Sequence, residues 1–225
     1  MSAFPQLAPR YNIAPTQLVI CVRPLITDPL MREAVLLKWG LIPFWAKDAS
    51  IGSRMINARS ETVAEKPAFR KAFQARRCII PADGFYEWQK LSDGTRQPWF
   101  IHQPDDTPFG FAGLWESWKP KDGEEIQSCT ILTTDANADL RELHDRMPVV
   151  LPPDQQVAWL SQSASRGQLQ AMMQPRPEGT LVRHPVAPLV NSVRNDNPAC
   201  VDSVKIESRK DASPSSVDRQ QTLFD

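Results

Sequence analysis

The stretches Phe85-Tyr-Glu-Trp-Gln-Lys90 and Pro98-Trp-Phe-Ile-His102, separated by a loop containing Asp93-Gly94, decide the fold. Both are rich in aromatic and β-branched residues, and Asp-Gly between two such runs is a strong hairpin signal. Working outward, Leu18-Val-Ile-Cys-Val22, Ala34 to Trp39, Arg77-Cys-Ile-Ile80 and Gln127 to Thr133 read as further strands. Helical patterns are fewer. Thr62 to Arg76 sets Phe69, Ala72 and Phe73 on one face at i, i+3, i+4 spacing. Ala136 to Leu143 and Pro153 to Gln162 are the other two, the second opened by Pro152-Pro153. Many strands with a few inserted helices predict an α+β protein, mostly antiparallel, with a barrel-like sheet and peripheral helices.

The chain has 225 residues, of which 41% are hydrophobic and 23% charged, enough for one large domain with a sizeable core. We expect one domain over residues 1–200. From Val201 the composition turns polar and Ser-rich without an apolar period, so residues 201–225 read as a disordered tail. Lys and Arg number 26 and so do Asp and Glu, which excludes a wholesale polyanion binder. Nothing predicts a membrane span or a secretory signal. Cys21, Cys78, Cys129 and Cys200 stand far apart, so neither a zinc site nor a disulfide framework is expected; reduced thiols fit a cytosol. Cys78, in an apolar run, reads as an inert core thiol.

Five segments read as polar loops beside strands: Arg10-Tyr-Asn-Ile-Ala-Pro-Thr-Gln17, Trp39-Gly-Leu-Ile-Pro-Phe-Trp-Ala46, Ile56-Asn-Ala-Arg-Ser-Glu-Thr62, Pro81-Ala-Asp-Gly-Phe-Tyr-Glu-Trp88 and Leu143-His-Asp-Arg-Met-Pro148. Each also has an ordinary reading. Glu87 alternates to the sheet face opposite Tyr86 and Trp88, where glutamates usually meet water. Asn57 fits a turn, His144 a structural hydrogen bond, and Trp39 and Trp45 core packing. Between Arg54 and Arg77 seven basic residues face two acidic ones, Glu61 and Glu65, in an otherwise neutral chain. Such a run is either a solvated helix face or, with the aromatic loop at 39–45, a groove tracking single-stranded nucleic acid.

Taken in order, the five segments resemble the SOS-response-associated peptidase family, over about residues 10 to 200. The resemblance implies a protein that binds abasic sites in single-stranded DNA near a duplex junction and bonds to them covalently. In that family the α-amine of a cysteine at position two forms a Schiff base with the open sugar, and the thiol closes a thiazolidine. An α-amine titrates near neutrality, at a pKa of about 7.7–8.0, as this chemistry requires. By resemblance Glu87 deprotonates the amine, His144 shuttles protons during ring opening and reversal, and Asn57 hydrogen-bonds the terminus and sugar. Arg59, with Arg76 and Arg77 of the basic run, takes phosphates; Pro43 and Trp45 wedge against bases; Thr133 is a further DNA contact. The same Glu and His serve self-processing of the N-terminus, and no cofactor is implied.

Family members begin Met-Cys-Gly-Arg, whereas this sequence begins Met-Ser-Ala-Phe and reaches Arg10 almost at once. The nucleophilic Cys and its segment are absent, and a Ser2 hydroxyl would close only a weaker oxazolidine. Two alternatives follow: a start assigned too far downstream, or a member without the covalent step. The second amounts to a non-covalent single-stranded-DNA binding module; a self-processing peptidase without DNA work is a third reading. The missing segment also predicts an exposed sheet edge. At the other end, Gln220-Gln-Thr-Leu223-Phe224 resembles the Gln-x-x-Leu-Phe peptide by which bacterial repair proteins dock on the sliding clamp. Leu223 and Phe224 could instead fold back onto the body. The protein is expected in the cytoplasm, drawn to the nucleoid at damage.

Overall fold

The structure is a computed structural model that describes residues 7–206. β1 (Leu18–Pro24) and β2 (Arg32–Trp39) form an antiparallel hairpin, paired from Leu18↔Lys38 to Pro24↔Arg32. After the short β3 (Asn57–Arg59) come α1 (Arg70–Ala75), β4 (Arg77–Ala82), and the hairpin of β5 (Gly84–Lys90) and β6 (Arg96–His102). The long strands β7 (Phe109–Trp118) and β8 (Ile126–Asp135) follow, then α2 (Ala138–Arg141), β9 (Arg146–Pro148) and β10 (Val150–Leu151). The chain continues through α3 (Pro153–Leu160), α4 (Arg166–Met172) and β11 (Val182–Pro185).

β1, β2, β8, β7 and β4 close into a barrel. All contacts around it are antiparallel except β2 with β8, so the expected barrel-like, mostly antiparallel sheet is found. Inward side chains alternate along each strand, as the period of two requires. Val19, Cys21, Leu37, Cys78, Ile80, Phe111, Trp115, Cys129 and Ile131 fill the interior. A second apolar cluster, with Phe73, Ile79, Leu114, Leu132 and Trp159, packs the helices against the barrel's outside. All four cysteines are buried and free, Cys78 among them.

β5, β6 and β11 make a separate three-stranded sheet. Gly84 lets the chain cross into it: a Cβ there would lie 2.3 Å from Phe100 Cζ and 2.6 Å from the Ile101 carbonyl. β5 is apolar on two faces. Phe85 meets Phe111 of the barrel, ring centroids 5.8 Å apart, while Tyr86 and Trp88 pack with Phe100, Val186, Val190 and Cys200. The Tyr86 hydroxyl, whose pKa burial raises, donates to the Tyr11 carbonyl at 2.7 Å. Asp196 accepts from the Tyr11 and Asn12 N–H groups and pairs with Arg10, so the start of the described chain is fastened beside its end.

Several expectations need correction. The helix expected over Thr62 to Arg76 is a series of turns followed by α1 alone, because Pro67 supplies no N–H and restricts Lys66 before it. α2 is a single turn within 136–143. β7 escaped notice because it is buried on nearly every residue, so it shows no alternation. The expected tail is already paired at its start: Ser203 bridges Val186, and the Val204 N–H donates to the Pro185 carbonyl. Residues 207–225, with Gln220, Leu223 and Phe224, lie outside the described residues. Among the described residues, β3 and β5 each lie at one end of their sheet.

Candidate functional site

Glu87 and His144 stand 57 positions apart in sequence, yet the imidazole lies near enough to act on the charge of the carboxyl. Glu87 lies on the Phe85 face of β5, directed toward the barrel and opposite Trp99 of β6, and is half-buried. His144 follows α2, which is capped by the Asn137 side chain accepting from the Leu140 N–H. Leu140 and Leu143, buried in the barrel cluster, anchor that turn and leave His144 at the surface, 49% exposed. Burial pushes the Glu87 carboxyl above its ordinary range; the His144 imidazole and the Trp88 N–H pull it down, and Asp145 pushes it up again. A half-buried carboxyl raised by burial, within electrostatic reach of an exposed imidazole, supplies the two kinds of group that acid–base chemistry needs.

Asn57 and Arg59 sit on β3, both exposed, with Ala58 between them buried. β3 runs parallel to the second half of β8, pairing Asn57 with Ile131 and Arg59 with Thr133. The Asn57 carboxamide makes no hydrogen bond among the described residues, to Glu87 and His144 included. Thr133 is 8% exposed, and its carbonyl accepts from Ser60 N–H and Arg146. On the far side of β8, β9 pairs Arg146 with Asp135 and so holds His144, two residues earlier, beside this strand. Arg146 joins the two sides: its Nη atoms meet both Glu61 carboxylate oxygens at 2.8 and 2.9 Å, Asp135 at 2.6 Å and the Thr133 carbonyl at 2.7 Å. Neither Glu61 nor Arg146 was singled out from the sequence; the only signal was their place inside two of the polar segments.

The aromatic turn lies next to β3. Trp39 Nε1 donates to the Ile56 carbonyl at 2.9 Å, and the Leu41 N–H to that of Met55 at 3.0 Å. Pro43 is buried, which corrects the expectation that it wedges against bases. The exposed rings are Phe44, at 47%, and Trp45, at 48%. Phe44, not foreseen, carries the Lys71 ammonium 4.3 Å from its ring centre. Arg54, Arg59, Lys66 and Arg70 are also exposed and make no ion pair among the described residues. Arg77 is a second correction: it is 2% exposed, and its nitrogens donate to the carbonyls of Trp159, Phe73, Gln74 and Ser161, so none is free for a phosphate. Arg76 is half-buried against Glu116 at 2.6 Å.

Among the described residues, no group of three His, Cys, Asp or Glu could hold a metal ion, and no helix is long and apolar enough to cross a membrane. The sequence model of the SOS response associated peptidase (SRAP) family matches residues 2–193. Abasic site processing protein YoqW of Bacillus subtilis is 42% identical over 196 residues, covering 87% of this chain and 86% of that protein. Abasic site processing protein HMCES of Gallus gallus is 32% identical over 202 residues, 80% of this chain and 60% of that protein. Among solved structures, a Bacteroides thetaiotaomicron protein superposes with a TM-score of 0.76 at 28% identity, covering 84% of this chain and 82% of that one. With the barrel, the order of the five segments and these likenesses in agreement, the chain belongs to the SRAP family.

Proposed function

We propose that this protein is a DNA-repair protein that binds abasic sites in single-stranded DNA and uses Glu87 and His144 as its acid–base pair. The observation that carries this reading is a half-buried Glu87 carboxyl, raised by burial and within electrostatic reach of the exposed His144, on a molecule whose β3 and aromatic turn present unpaired cations and exposed rings. The names of the relatives, abasic site processing proteins, support it. In the sugar's open form, a terminal α-amine adds to the C1′ aldehyde and loses water to give a Schiff base. Glu87 accepts the amine proton, and His144 exchanges protons with the sugar oxygen as the ring opens and as the adduct reverses. Asn57 hydrogen-bonds the sugar from the edge strand, Arg59 takes the neighbouring phosphate, Thr133 lines the path, and Phe44 and Trp45 stack on flanking bases. A thiazolidine forms when the terminal residue carries a thiol. Self-processing of the N-terminus draws on the same carboxylate.

An oligonucleotide with one abasic site tests this on denaturing and native gels. A band that survives denaturation, slowed by Glu87→Ala and altered in reversal by His144→Ala, supports the reaction. If neither substitution changes any rate, the roles assigned here are wrong. The exposed rings and free cations favour a second reading, non-covalent single-strand binding, which gives only a salt-sensitive native shift. Gln220, Leu223 and Phe224 would recruit either form to the sliding clamp, raising the local concentration through the tail. Equal recovery of Leu223→Ala/Phe224→Ala and the unaltered protein on immobilised clamp would exclude that partner.

A further inference from the structure

The His144 ring has two neighbours competing for one nitrogen. The Arg146 backbone N–H donates to Nδ1 at 3.0 Å, and Asp145 Oδ1 lies 3.1 Å from the same atom. The first contact requires Nδ1 to be unprotonated, which places the proton of the neutral ring on Nε2; the second draws a proton to Nδ1. The outcome depends on how firmly the Arg146 main chain is held. The pairing of β9 with Asp135 holds that main chain, and the guanidinium fastens it further: all four terminal N–H groups are engaged, two of them by the parallel prongs of the Glu61 carboxylate. Asp135, the other carboxylate on this guanidinium, is 76% exposed and makes a single contact, whereas Glu61 is 47% exposed and makes two. The Arg146 guanidinium holds the Glu61 carboxyl below its usual range, and Glu61 raises Arg146 in turn.

We infer that Glu61 is a positioning residue for His144, fixing through Arg146 the tautomer in which Nε2 carries the proton. Glu61 leaves β3 two residues after Arg59, so the same fork binds the strand bearing Asn57 and Arg59 to the loop bearing His144. It is the counterpart of the outer partner that sets ring orientation and tautomer in other imidazole sites. Glu61 touches no reacting atom. The inference rests on the acid–base role proposed for His144 where it concerns rate, and on geometry alone where it concerns the tautomer.

The test is long-range 1H–15N spectroscopy of the 15N-histidine-labelled full chain without DNA, at a pH where the ring is neutral. There are three histidines, and His144→Ala assigns the signal. In the unaltered protein, Nδ1 of His144 should appear as an unprotonated acceptor and Nε2 as the protonated nitrogen. Glu61→Ala should mix the tautomers of His144 while leaving His102 and His184 unmoved, and Glu61→Gln, which keeps one hydrogen bond, should fall between. The unmoved signals of His102 and His184 also report that the fold is retained. With abasic DNA, Glu61→Ala should slow the His144-dependent step about ten-fold, the scale of losing an outer partner, without weakening DNA binding. An unchanged His144 tautomer in folded Glu61→Ala overturns the inference. A changed tautomer with no reaction on abasic DNA in any form of the protein instead overturns the function proposed above.

Discussion

Arg59 and Arg77 belong to one run of basic residues, yet the fold uses them in opposite ways. Arg59 projects from an edge strand, while Arg77 starts β4 and closes the carbonyl ends of α1 and α3 with its whole guanidinium. Arg77→Met should therefore lower stability by about 3 kcal/mol, since it strands several buried carbonyls at once. Urea denaturation would read this as a drop in midpoint, with single-strand affinity of the folded protein unchanged. Glu87 gives the opposite kind of signal. Its carboxyl is raised by burial, so the folded state holds the proton more tightly than the unfolded chain does. The stability associated with that proton is present below the unfolded value of about 4.3 and is lost as pH rises through the folded value. Glu87→Gln removes the ionisation. The variant should match the unaltered protein at about pH 4 and melt higher than it at neutral pH. A melting difference that stays flat over this range would mean that Glu87 is not desolvated.

At the scale of elements, the turn that carries Phe44 and Trp45 owes its course to a pair of glycines. Gly40 has φ +130, and a Cβ on Gly52 would lie 2.6 Å from the Gly40 carbonyl oxygen and 3.1 Å from Ile42 Cγ1. Main chain cannot yield as a side chain tip does, so Gly52→Ala should cost about 1–3 kcal/mol as an overpacked contact. It should also weaken single-strand binding through displacement of the rings, and Trp45→Ala should weaken binding by about 1–3 kcal/mol without the stability loss. Fluorescence anisotropy alongside thermal melting separates the two effects. The strands were legible where period and turn chemistry agreed, as in Phe85 to His102 with its Asp93-Gly94 turn. Glu87 was legible only as a side chain opposite Tyr86 and Trp88; that its own face meets the barrel follows from Phe85 packing on Phe111, a contact between strands far apart in sequence. Pro43 and Trp45 looked alike as loop residues, and burial alone tells them apart.

For the whole molecule, a net charge of zero conceals the separation of its charges. Arg54, Arg59, Lys66, Arg70 and Lys71 reach solvent within one stretch, whereas Arg76 and Arg77 of the same stretch are taken up by Glu116 and by helix ends. Sequence could count those cations but could not say which of them the fold consumes, because their partners at 116, 159 and 161 lie outside the run. Salt dependence makes the distinction measurable. Each phosphate neutralised on a single strand contributes about 0.7 to the slope of log affinity against log salt. Arg59→Gln, Arg70→Gln and Lys71→Gln should each flatten that slope by up to this amount, and the three together by about 2. Lys71→Gln should also lower affinity at high salt, because the ammonium it removes rests on the Phe44 ring that we propose stacks with the bases. Arg76→Gln should leave the slope where it is. If Arg76→Gln flattens the slope as strongly as Arg59→Gln does, the strand crosses the Arg76 and Glu116 side of the barrel, and the path drawn here along β3 and the aromatic turn is wrong.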